Sequence, residues 1–393
     1  MSITNTERFC PKTLIAEKKN LTPNNMYPVA LDIGYSAVKG MSPNSIYVFP
    51  SFTRVQRGEF LGTPDPTDIM YRDEEGIVYA VGERAISQTA LNDTEDSSVS
   101  LYGRDRYFSK TFLIIARTGI ALGLRENQYG KYDKSLPLFL QTGLPPQYRA
   151  LDTNLMIEAL TGKHEFWVRV GGGDWEHFSF ELSASNIHVT SQPIGSVYSA
   201  GKLSDGSNIA PDAKGKSYLT ARTLVFDGGF GTLDVFPIEN KVAGNARTFA
   251  GLGMKAVYEG TANDIRLSYQ YEVHSHTLPR LLKEGSVRIP DRRRRTVNTV
   301  DITPIFQKNL EQVFEKAMTA VEQEYDVYTG FDYLIVTGGT GAAWLPLIRE
   351  RYKDLPITIV VSNQNDPSLD LLFSNVRGYY IFRVVTEMKQ PKK

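Results

Sequence analysis

The sequence has very little cysteine. Cys10 is the single cysteine among 393 residues, so the chain can form neither an internal disulfide nor a cysteine-based zinc site. A reducing compartment suits such a composition, and we expect a cytoplasmic protein. The first 26 residues also lack the apolar stretch of a secretory signal peptide.

Net charge and long hydrophobic runs are missing as well. Lysine plus arginine and aspartate plus glutamate both number 44, so the formal net charge is zero. This balance argues against direct nucleic-acid binding by the chain as a whole. It permits self-association, because little long-range repulsion opposes it. No run approaches the roughly 18 apolar residues that span a bilayer, and residues 387–393 lack the pattern of an amphipathic anchor. We therefore expect no membrane contact.

Several familiar site signatures are absent or weak. The sequence contains no G-x-x-x-x-G-K-[ST] phosphate loop and no G-x-S-x-G elbow. Residues 251–256 match G-x-G-x-x-A, but no strong buried strand precedes them, so a dinucleotide site is disfavoured. His274 and His276 lie in a polar stretch, where a solvated loop is the better interpretation. The run Arg292–Arg295 could contact a partner or polyanion, but it is more typical of a solvated loop.

What the sequence does contain is two aspartate–glycine turns, each after a strand-like run. Asp32 precedes Gly34, and Lys39 follows Asp32 by seven residues. Asp227 begins a second turn that is richer in glycine. Such turns let backbone N–H groups approach phosphates closely, while a carboxylate can hold hydrated Mg²⁺ and a lysine can meet a phosphate. Each turn alone could be an ordinary surface hairpin, but the pair suggests one nucleotide held from two sides.

A third glycine turn, Gly338–Gly341, follows the apolar strand Tyr333–Val336 and precedes a predicted helix. It could form a flat floor for a purine or ribose, with free N–H groups at the helix start; a simple helix-start loop is the alternative. Gly251 and Gly253 are predicted to open a helix beside the nucleotide. The candidate nucleotide-binding residues are Gly34, Tyr35, Ser36, Lys39, Gly228, Gly229, Phe230, Gly231, Thr232, Gly251, Gly253, Lys255, Gly338, Gly339, Thr340 and Gly341.

The remaining pattern is that of mixed strands and helices. A chain of 393 residues is too long for one ordinary core and fits two or more subdomains. A short helix around Leu14–Lys19 is predicted inside a flexible extension, 1–26, and residues 274–300 are predicted to be polar and irregular. Apolar periodicity predicts helices over 108–124, 149–161, 254–267 and 302–325, with 367–386 mostly helical.

In this order, the motifs resemble those of the actin-type ATPase superfamily, which includes actins, bacterial actin-like filament proteins, chaperone ATPases and sugar kinases. The two aspartate–glycine hairpins are similar to its phosphate motifs, and the Gly338 turn is similar to its adenosine motif. Phe49–Ser51, Thr142–Pro146 and Leu372–Tyr380 resemble plasmid-segregation actins of the ParM type. The resemblance spans about residues 27–385.

The resemblance implies an α/β fold of the actin-like type. Two lobes would each contain a mixed β-sheet with flanking helices, and the nucleotide would lie in the interlobe cleft. Lobe I would comprise 27–190, with 363–393 returning to it. Lobe II would comprise 191–362, including an insertion subdomain at about 248–300. Residues 1–26 have no counterpart in the motif set.

The resemblance also implies roles for individual residues. Asp32 and Asp227 would position Mg²⁺ through water, and Lys39 would meet the β- and γ-phosphates. Gln192, at a strand-to-helix junction, is similar to the residue that orients the attacking water, so Asp32, Gln192 and Asp227 are the candidate catalytic residues. Asp234 is either an assisting carboxylate or an ordinary strand residue. The expected ligands are ATP or ADP with Mg²⁺, and GTP remains possible.

The function implied is that of an ATPase whose subunits assemble head to tail into a filament. Such a filament would segregate plasmid DNA through a DNA-binding adaptor at a centromere-like site, so its own contact with DNA would be indirect. The alternative is a small-molecule kinase of the same superfamily, for which we identify no substrate carboxylate base. A chaperone would need a substrate domain after the ATPase, and a binding module without hydrolysis is disfavoured by Gln192.

Overall fold

The computed structural model describes residues 6–58, 62–89, 100, 101, 103–291 and 293–389. The strands are β1 (Leu14–Glu17), β2 (Tyr27–Ile33), β3 (Ala37–Met41), β4 (Ser45–Pro50), β5 (Thr53–Val55), β6 (Ile69–Arg72), β7 (Val78–Val81), β8 (Leu138–Leu144), β9 (Gly162–Val170), β10 (Glu176–Leu182), β11 (Ile187–Ser191), β12 (Lys202–Ser204), β13 (Ile209–Pro211), β14 (Thr223–Gly228), β15 (Thr232–Glu239), β16 (Val242–Ala243), β17 (Arg247–Ala250), β18 (Ser286–Asp291), β19 (Thr296–Asp301), β20 (Tyr333–Thr337) and β21 (Thr358–Val361). The α-helices are α1 (Glu83–Ser87), α2 (Lys110–Leu124), α3 (Pro146–Leu160), α4 (Gln192–Gly201), α5 (Ser217–Thr220), α6 (Met254–Tyr269), α7 (Leu278–Glu284), α8 (Thr303–Glu324), α9 (Gly339–Arg351) and α10 (Ser374–Met388).

The first sheet has the strand order β1-β4-β3-β2-β8-β11. Strands β2, β8 and β11 run parallel, while β1, β4, β3 and β2 pair antiparallel. Val29 and Leu31 of β2 join a core with α2, and Ala30 joins a separate cluster with α10. Because side chains alternate along a strand, Asp32 lies on the same face of β2 as Ala30, toward α10.

The second sheet has the order β16-β15-β14-β20-β21, and β17 also pairs with β15. Strands β14, β20 and β21 are parallel, and Asp227 at the end of β14 is in register with Thr337 at the end of β20. Phe226 faces the core that contains α6, α8 and α9, while Val225 faces α4. Neighbouring parallel strands end at one sheet edge, so the turns after β14 and β20 lie side by side.

A third, five-stranded sheet has the order β10-β9-β6-β7-β5 and packs beside the first sheet. Residues of the first and third sheets form one apolar core with α2 and α3. These two sheets and their helices make up the first half of the protein. The second half is the part built on the second sheet with α6, α7, α8 and α9, whose apolar residues form another core.

Helices α4 and α10 cross between the two halves. The chain passes from β11 of the first sheet directly into α4, whose Val197 packs on the second sheet. Helix α10 follows β21 of the second sheet, and its Val376 packs on the first. The helices meet at Gly195 and Gly378, where a Cβ on Gly378 would overlap the Gly195 carbonyl group. Only glycine permits so close an approach of two backbones.

The predicted helix around Leu14–Lys19 is wrong. Residues Leu14–Glu17 form β1, an edge strand in register with β4 from Leu14↔Val48 to Glu17↔Ser45. The apolar residues Ile15 and Ala16 pack on opposite faces of the sheet, which suits a strand better than a helix. Residues 6–20, expected to belong to a flexible extension, instead lie against the body of the protein.

The predicted irregular stretch 274–300 is also wrong. It contains α7 and the antiparallel hairpin β18–β19. Leu278, Leu281 and Leu282 of α7 are buried in the second core, together with Val287 of β18. The numerous charged residues of this stretch obscure its short apolar pattern in the sequence.

The longer predicted helices are confirmed as α2, α3, α6 and α8, and α10 covers most of the last predicted helical stretch. Their apolar residues repeat at helical spacing, as in α8, where Phe306, Leu310, Val313, Phe314 and Ala317 are buried. Within the described residues, no helix combines the length and apolar character needed to cross a bilayer.

Candidate functional site

The first aspartate–glycine turn joins β2 and β3. Asp32 is buried and lies opposite Lys39, whose Nζ is 3.2 Å from the Asp32 Oδ2. The Gly34 N–H donates to the carbonyl oxygen of Ala37 at 3.1 Å, and Ser51 Oγ donates to the Gly34 carbonyl oxygen at 2.7 Å. Asp32 and Lys39 therefore lie together at one hairpin turn.

Gln192 lies at the same edge of the first sheet. It is the first residue of α4, directly after β11, and β11, β8 and β2 are parallel. Its Nε2 donates to the Asp32 Oδ1 at 3.2 Å. The structure thus brings together two predicted catalytic residues that are 160 positions apart in the sequence.

The second turn joins β14 and β15. Asp227 is buried, and its cross-strand neighbour is Asp234. The Gly229 N–H closes the turn by donating to the Thr232 carbonyl oxygen at 2.9 Å. A Cβ on Gly231 would lie 3.0 Å from a ring carbon of Tyr35 in the first turn. The tips of the two turns, one from each half, therefore touch.

The third turn packs directly on the second. Gly338 has a φ of +80°, and a Cβ there would overlap the Gly228 carbonyl oxygen. A Cβ on Gly228 would in turn overlap the backbone nitrogen of Gly341. Thr340 Oγ1 donates to the Gly229 carbonyl oxygen at 2.6 Å. Glycine at these positions is required by a close approach of two backbones and by one positive φ angle.

The start of α6 approaches the second turn from another side. Gly251 donates its N–H to the Gly231 carbonyl oxygen at 3.1 Å, and Lys255 donates its N–H to the Phe230 carbonyl oxygen at 2.9 Å. A Cβ on Gly253 would overlap that same Phe230 oxygen. The Lys255 side chain forms an ion pair with Glu259 at 3.7 Å.

Two predicted site residues lie at the borders of these turns. Ser36 accepts the Ser51 N–H at its carbonyl oxygen, at 2.9 Å, and Gly339 begins α9. All the glycine-rich segments that the sequence singled out are therefore brought to the facing edges of the two sheets. Their individual roles toward a ligand stay predictions.

The site concentrates buried negative charge. Burial raises the pKa of Asp227 to about 6, with a further rise from the Asp32 charge, while Asn375 and Lys39 act in the opposite direction. Burial raises the pKa of Asp234 to about 7, and the Asp227 charge adds to that rise. A cation bound nearby would favour the ionised form of these carboxyl groups.

The carboxylates fit a hydrated magnesium ion rather than a closed protein cage. In the described part of the chain, no three His, Cys, Asp or Glu side chains are placed to hold a metal ion together. Mg²⁺ usually keeps several waters and binds proteins through one or two carboxylates together with substrate phosphates. Asp32 and Asp227, on facing turns, are suited to that mode.

Sequence reasoning missed Asn375, in the first turn of α10. Its Nδ2 donates to the Asp227 Oδ2 at 2.7 Å, and its Oδ1 accepts from Ser196 Oγ of α4. Arg106 was missed as well; its guanidinium carbon lies 5.2 Å from the centre of the Tyr35 ring. Asn375 lies in the segment Leu372–Tyr380 that carries part of the resemblance, but nothing local marks it or Arg106 as a site residue, because each reaches the site only through tertiary packing.

Known proteins give the context for this geometry. Residues 30–195 match the family described as the N-terminal domain of actin-like proteins. The structure is similar to a 15-stranded ParM filament from Clostridium botulinum, with a TM-score of 0.68 and 19% identity over 91% of this chain and 99% of that chain. A non-polymerisable quadruple mutant of pCBH ParM gives a TM-score of 0.68 and 17% identity over the same shares.

An archaeal actin homologue in complex with ADP is also similar, with a TM-score of 0.59 and 18% identity over 91% of this chain and 99% of that chain. No curated protein matches the sequence. At such identities the structural likeness shows the fold, and the predicted α/β fold of the actin-like type is confirmed.

Proposed function

We propose that the chain is an actin-like ATPase that binds Mg·ATP between its two halves and hydrolyses it to control filament assembly. The match of residues 30–195 to the N-terminal domain of actin-like proteins and the actin-like fold support this proposal. The contact between Tyr35 of the first turn and Gly231 of the second carries this proposal. It brings together two turns of the phosphate-binding type, one from each half, on opposite sides of one site. A ligand between them would be held by both halves at once.

The two turns would share the work of binding. Lys39 supplies a positive charge for the β- and γ-phosphates, and the glycine-rich backbone from Gly228 to Gly231 supplies N–H donors. Bound Mg²⁺ would offset part of the phosphate charge. Asp32 and Asp227 would orient that ion through its waters, which agrees with their position on facing turns.

Gln192 would position the attacking water. Its Nε2 is engaged by Asp32, so its Oε1 is the atom that would accept a hydrogen bond from the water. Phosphoryl transfer depends mainly on such positioning and on charge stabilisation, rather than on covalent chemistry by the protein. Asp234 lies behind Asp227 and would act through it, since Asp227 is its cross-strand neighbour.

Hydrolysis would control assembly through the relative position of the halves. In this proposal, lobe I comprises 27–190 with 363–393 and lobe II comprises 191–362, and the crossing of α4 and α10 lies between them. Loss of the γ-phosphate removes a group that both turns contact, so the lobes could shift and subunit contacts could weaken. The likeness to a ParM filament supports head-to-tail self-assembly as the form of the polymer.

The cellular task is a further part of the proposal. Segregation of plasmid DNA through a DNA-binding adaptor is supported by the resemblance to ParM-type proteins, and the zero net charge agrees with indirect contact with DNA. A cytoplasmic location stays a prediction from the sequence.

The proposal is tested by assembly of the purified full chain. Light scattering and pelleting at tens of micromolar protein, with phosphate release followed in parallel, compare Mg·ATP, Mg·GTP, Mg·ADP and no nucleotide. We expect polymer with Mg·ATP, followed by phosphate release. Lys39→Ala should lose nucleotide affinity, whereas Lys353→Ala, a change at an exposed lysine, should retain it.

The same assays separate the filament from the kinase alternative. ATP consumption that requires a sugar or another small acceptor, without polymer under any nucleotide condition, would overturn the filament proposal and support the kinase. Absence of nucleotide binding by the parent chain would overturn both.

A further inference from the structure

The N-terminal strap, defined as residues 6–17, contacts both halves of the protein. Its last part is β1, the edge strand of the first sheet, which pairs with β4 from Leu14↔Val48 onward. Its first part lies on the second half, where Phe9 belongs to the apolar core. The strap therefore forms a second connection between the halves, in addition to the crossing of α4 and α10.

The attachment to the second half is specific. The Phe9 ring lies 4.9 Å from the Phe306 ring of α8, and its carbonyl oxygen accepts from Tyr258 Oη of α6 at 2.6 Å. Thr6 Oγ1 donates to the Leu282 carbonyl oxygen of α7. The buried Phe9 ring and these hydrogen bonds thus hold this end of the strap against the second half.

This attachment is adjacent to the second phosphate turn. The ring of Tyr258, which holds the Phe9 carbonyl group, also packs edge-on against Phe230, with ring centres 5.4 Å apart. Phe230 lies at the tip of the turn that Asp227 begins. Tyr258 therefore contacts both that turn and the strap.

The attachment to the first half is adjacent to the first phosphate turn. The Thr13 N–H donates to the Glu83 carboxylate, and a Cβ on Gly82 would lie within 3.4 Å of both Thr13 and Pro50. Pro50 precedes Ser51, whose Oγ donates a hydrogen bond to the Gly34 carbonyl oxygen in the first turn. Because Pro50 pairs with Ala37 beside that turn, the strap leaves the first sheet at its cleft edge.

We propose that the N-terminal strap limits the opening of the cleft and thereby controls nucleotide exchange. The inference rests on the proposed function, because it assigns the regulation of that same site. Residues 10–13 join Phe9 to β1, so Phe9 and Leu14 are five residue steps apart and can be separated by at most roughly 18 Å. Wider separation of the halves requires Phe9 to leave its core or β1 to leave the sheet.

The first test is the rate of nucleotide release. A fluorescent ADP analogue is bound to the full chain and displaced by excess unlabelled nucleotide. Loss of one buried phenyl ring predicts that Phe9→Ala releases it roughly ten- to a hundredfold faster than the parent. Phe9→Leu, which keeps an apolar plug, should stay close to the parent rate, and Phe108→Ala, at a largely exposed phenylalanine, should not change it.

The second test measures the strap directly through Cys10, the sole cysteine of the chain. Its Sγ lies 3.1 Å from the Pro279 carbonyl oxygen, and burial raises the pKa of the thiol to about 12. Maleimide labelling near neutral pH should therefore be slow while the strap is bound. We expect faster labelling without nucleotide than with Mg·ADP, and the fastest labelling in Phe9→Ala.

The third test is the radius of gyration of the nucleotide-free protein in solution scattering, which should increase in Phe9→Ala. Circular dichroism and thermal unfolding verify that the variant is folded. If it is not, Phe9→Leu and Glu83→Gln are compared instead, and Glu83→Gln, which weakens the other attachment, should speed release.

The outcomes separate this inference from the proposed function. A parent that binds nucleotide normally, together with parental release, labelling and radius of gyration in Phe9→Ala, overturns the strap inference alone. A parent that binds no nucleotide overturns the proposed function. In that case labelling and scattering still decide whether the strap holds the halves together, because neither measurement needs nucleotide.

Discussion

Replacement of Asp227 by asparagine should stabilise the nucleotide-free protein and abolish its stabilisation by Mg·ATP. The buried carboxylate accepts a hydrogen bond from Asn375, lies opposite Asp234 and is affected by the Asp32 charge. Asparagine has nearly the same shape, and its amide oxygen can accept the same hydrogen bond. The substitution therefore removes a charge without creating a cavity.

The size of the expected stabilisation follows from the raised pKa of Asp227. Burial raises the pKa of Asp227 from 3.8 to about 6, and each unit corresponds to about 1.4 kcal/mol. Ionisation at neutral pH thus costs the folded protein up to about 3 kcal/mol relative to the unfolded chain. Because neighbouring charges readjust, we expect nucleotide-free Asp227→Asn to be more stable by about 1–3 kcal/mol at about pH 7.5.

The raised pKa of Asp227 also determines how the stability difference between parent and variant changes with pH. Between about pH 4 and pH 6 the folded protein retains a proton that the unfolded chain has released, so the parent loses stability as the pH rises. The advantage of the variant should be small near pH 4 and complete above about pH 7. His164 and His188, whose pKa values are lowered by burial, act with the opposite sign, but their contributions cancel between parent and variant.

The assay is denaturant unfolding of parent and variant at several pH values, with and without Mg·ATP. At about 100 times Kd, the ligand should add about 2.7 kcal/mol to the parent and little to the variant. Asp354→Asn, a change at an exposed aspartate, should behave like the parent throughout. A nucleotide-free Asp227→Asn protein that is less stable than the parent at neutral pH, or one that gains as much from Mg·ATP, would refute the reasoning.

Three further substitutions test other parts of the structure. Gln192→Ala should slow phosphate release while ATP-dependent pelleting persists, and an unchanged release rate would contradict its assigned role. Gly338→Ala should weaken ATP binding by about tenfold or more, because a Cβ at a φ of +80° meets the facing turn; Gly172→Ala, in the hairpin between β9 and β10 with open space around it, is the control in the titration. Gly378→Ala should lower the free energy of unfolding by about 1–3 kcal/mol or more through overlap with Gly195, and an unchanged thermal transition would show that the helices can separate freely.

The sequence was informative where local chemistry decides the structure. Helix α8 has buried residues at helical spacing along its whole length, so its periodicity could be read directly. The turns at Asp32, Asp227 and Gly338 could be found because close backbone approach requires glycine and leaves a visible pattern. The repeated aspartate–glycine pattern predicted that two of the turns hold one nucleotide, and the resemblance assigned the two turns to different lobes.

The features that were missed depend on distant partners. β1 is a strand because the open edge of β4 offers it hydrogen bonds, and four residues carry too little pattern to reveal this. Asn375 reaches Asp227 across 148 positions through the crossing of α4 and α10. The contacts of Phe9 with Tyr258 and Phe306 span even longer distances along the chain. Such pairings depend on tertiary packing, which no local window of sequence contains.

The pairing of β1 with β4 has a practical consequence for work with shortened forms of the chain. A form that begins after Glu17 would leave β4, with Tyr47 and Phe49 in its centre, as an uncovered strand with unpaired N–H and C=O groups. Such an edge can recruit strands from other molecules and cause nonspecific aggregation. Pelleting alone would count that aggregate as filament, so electron microscopy and reversal on nucleotide depletion are needed to distinguish the two.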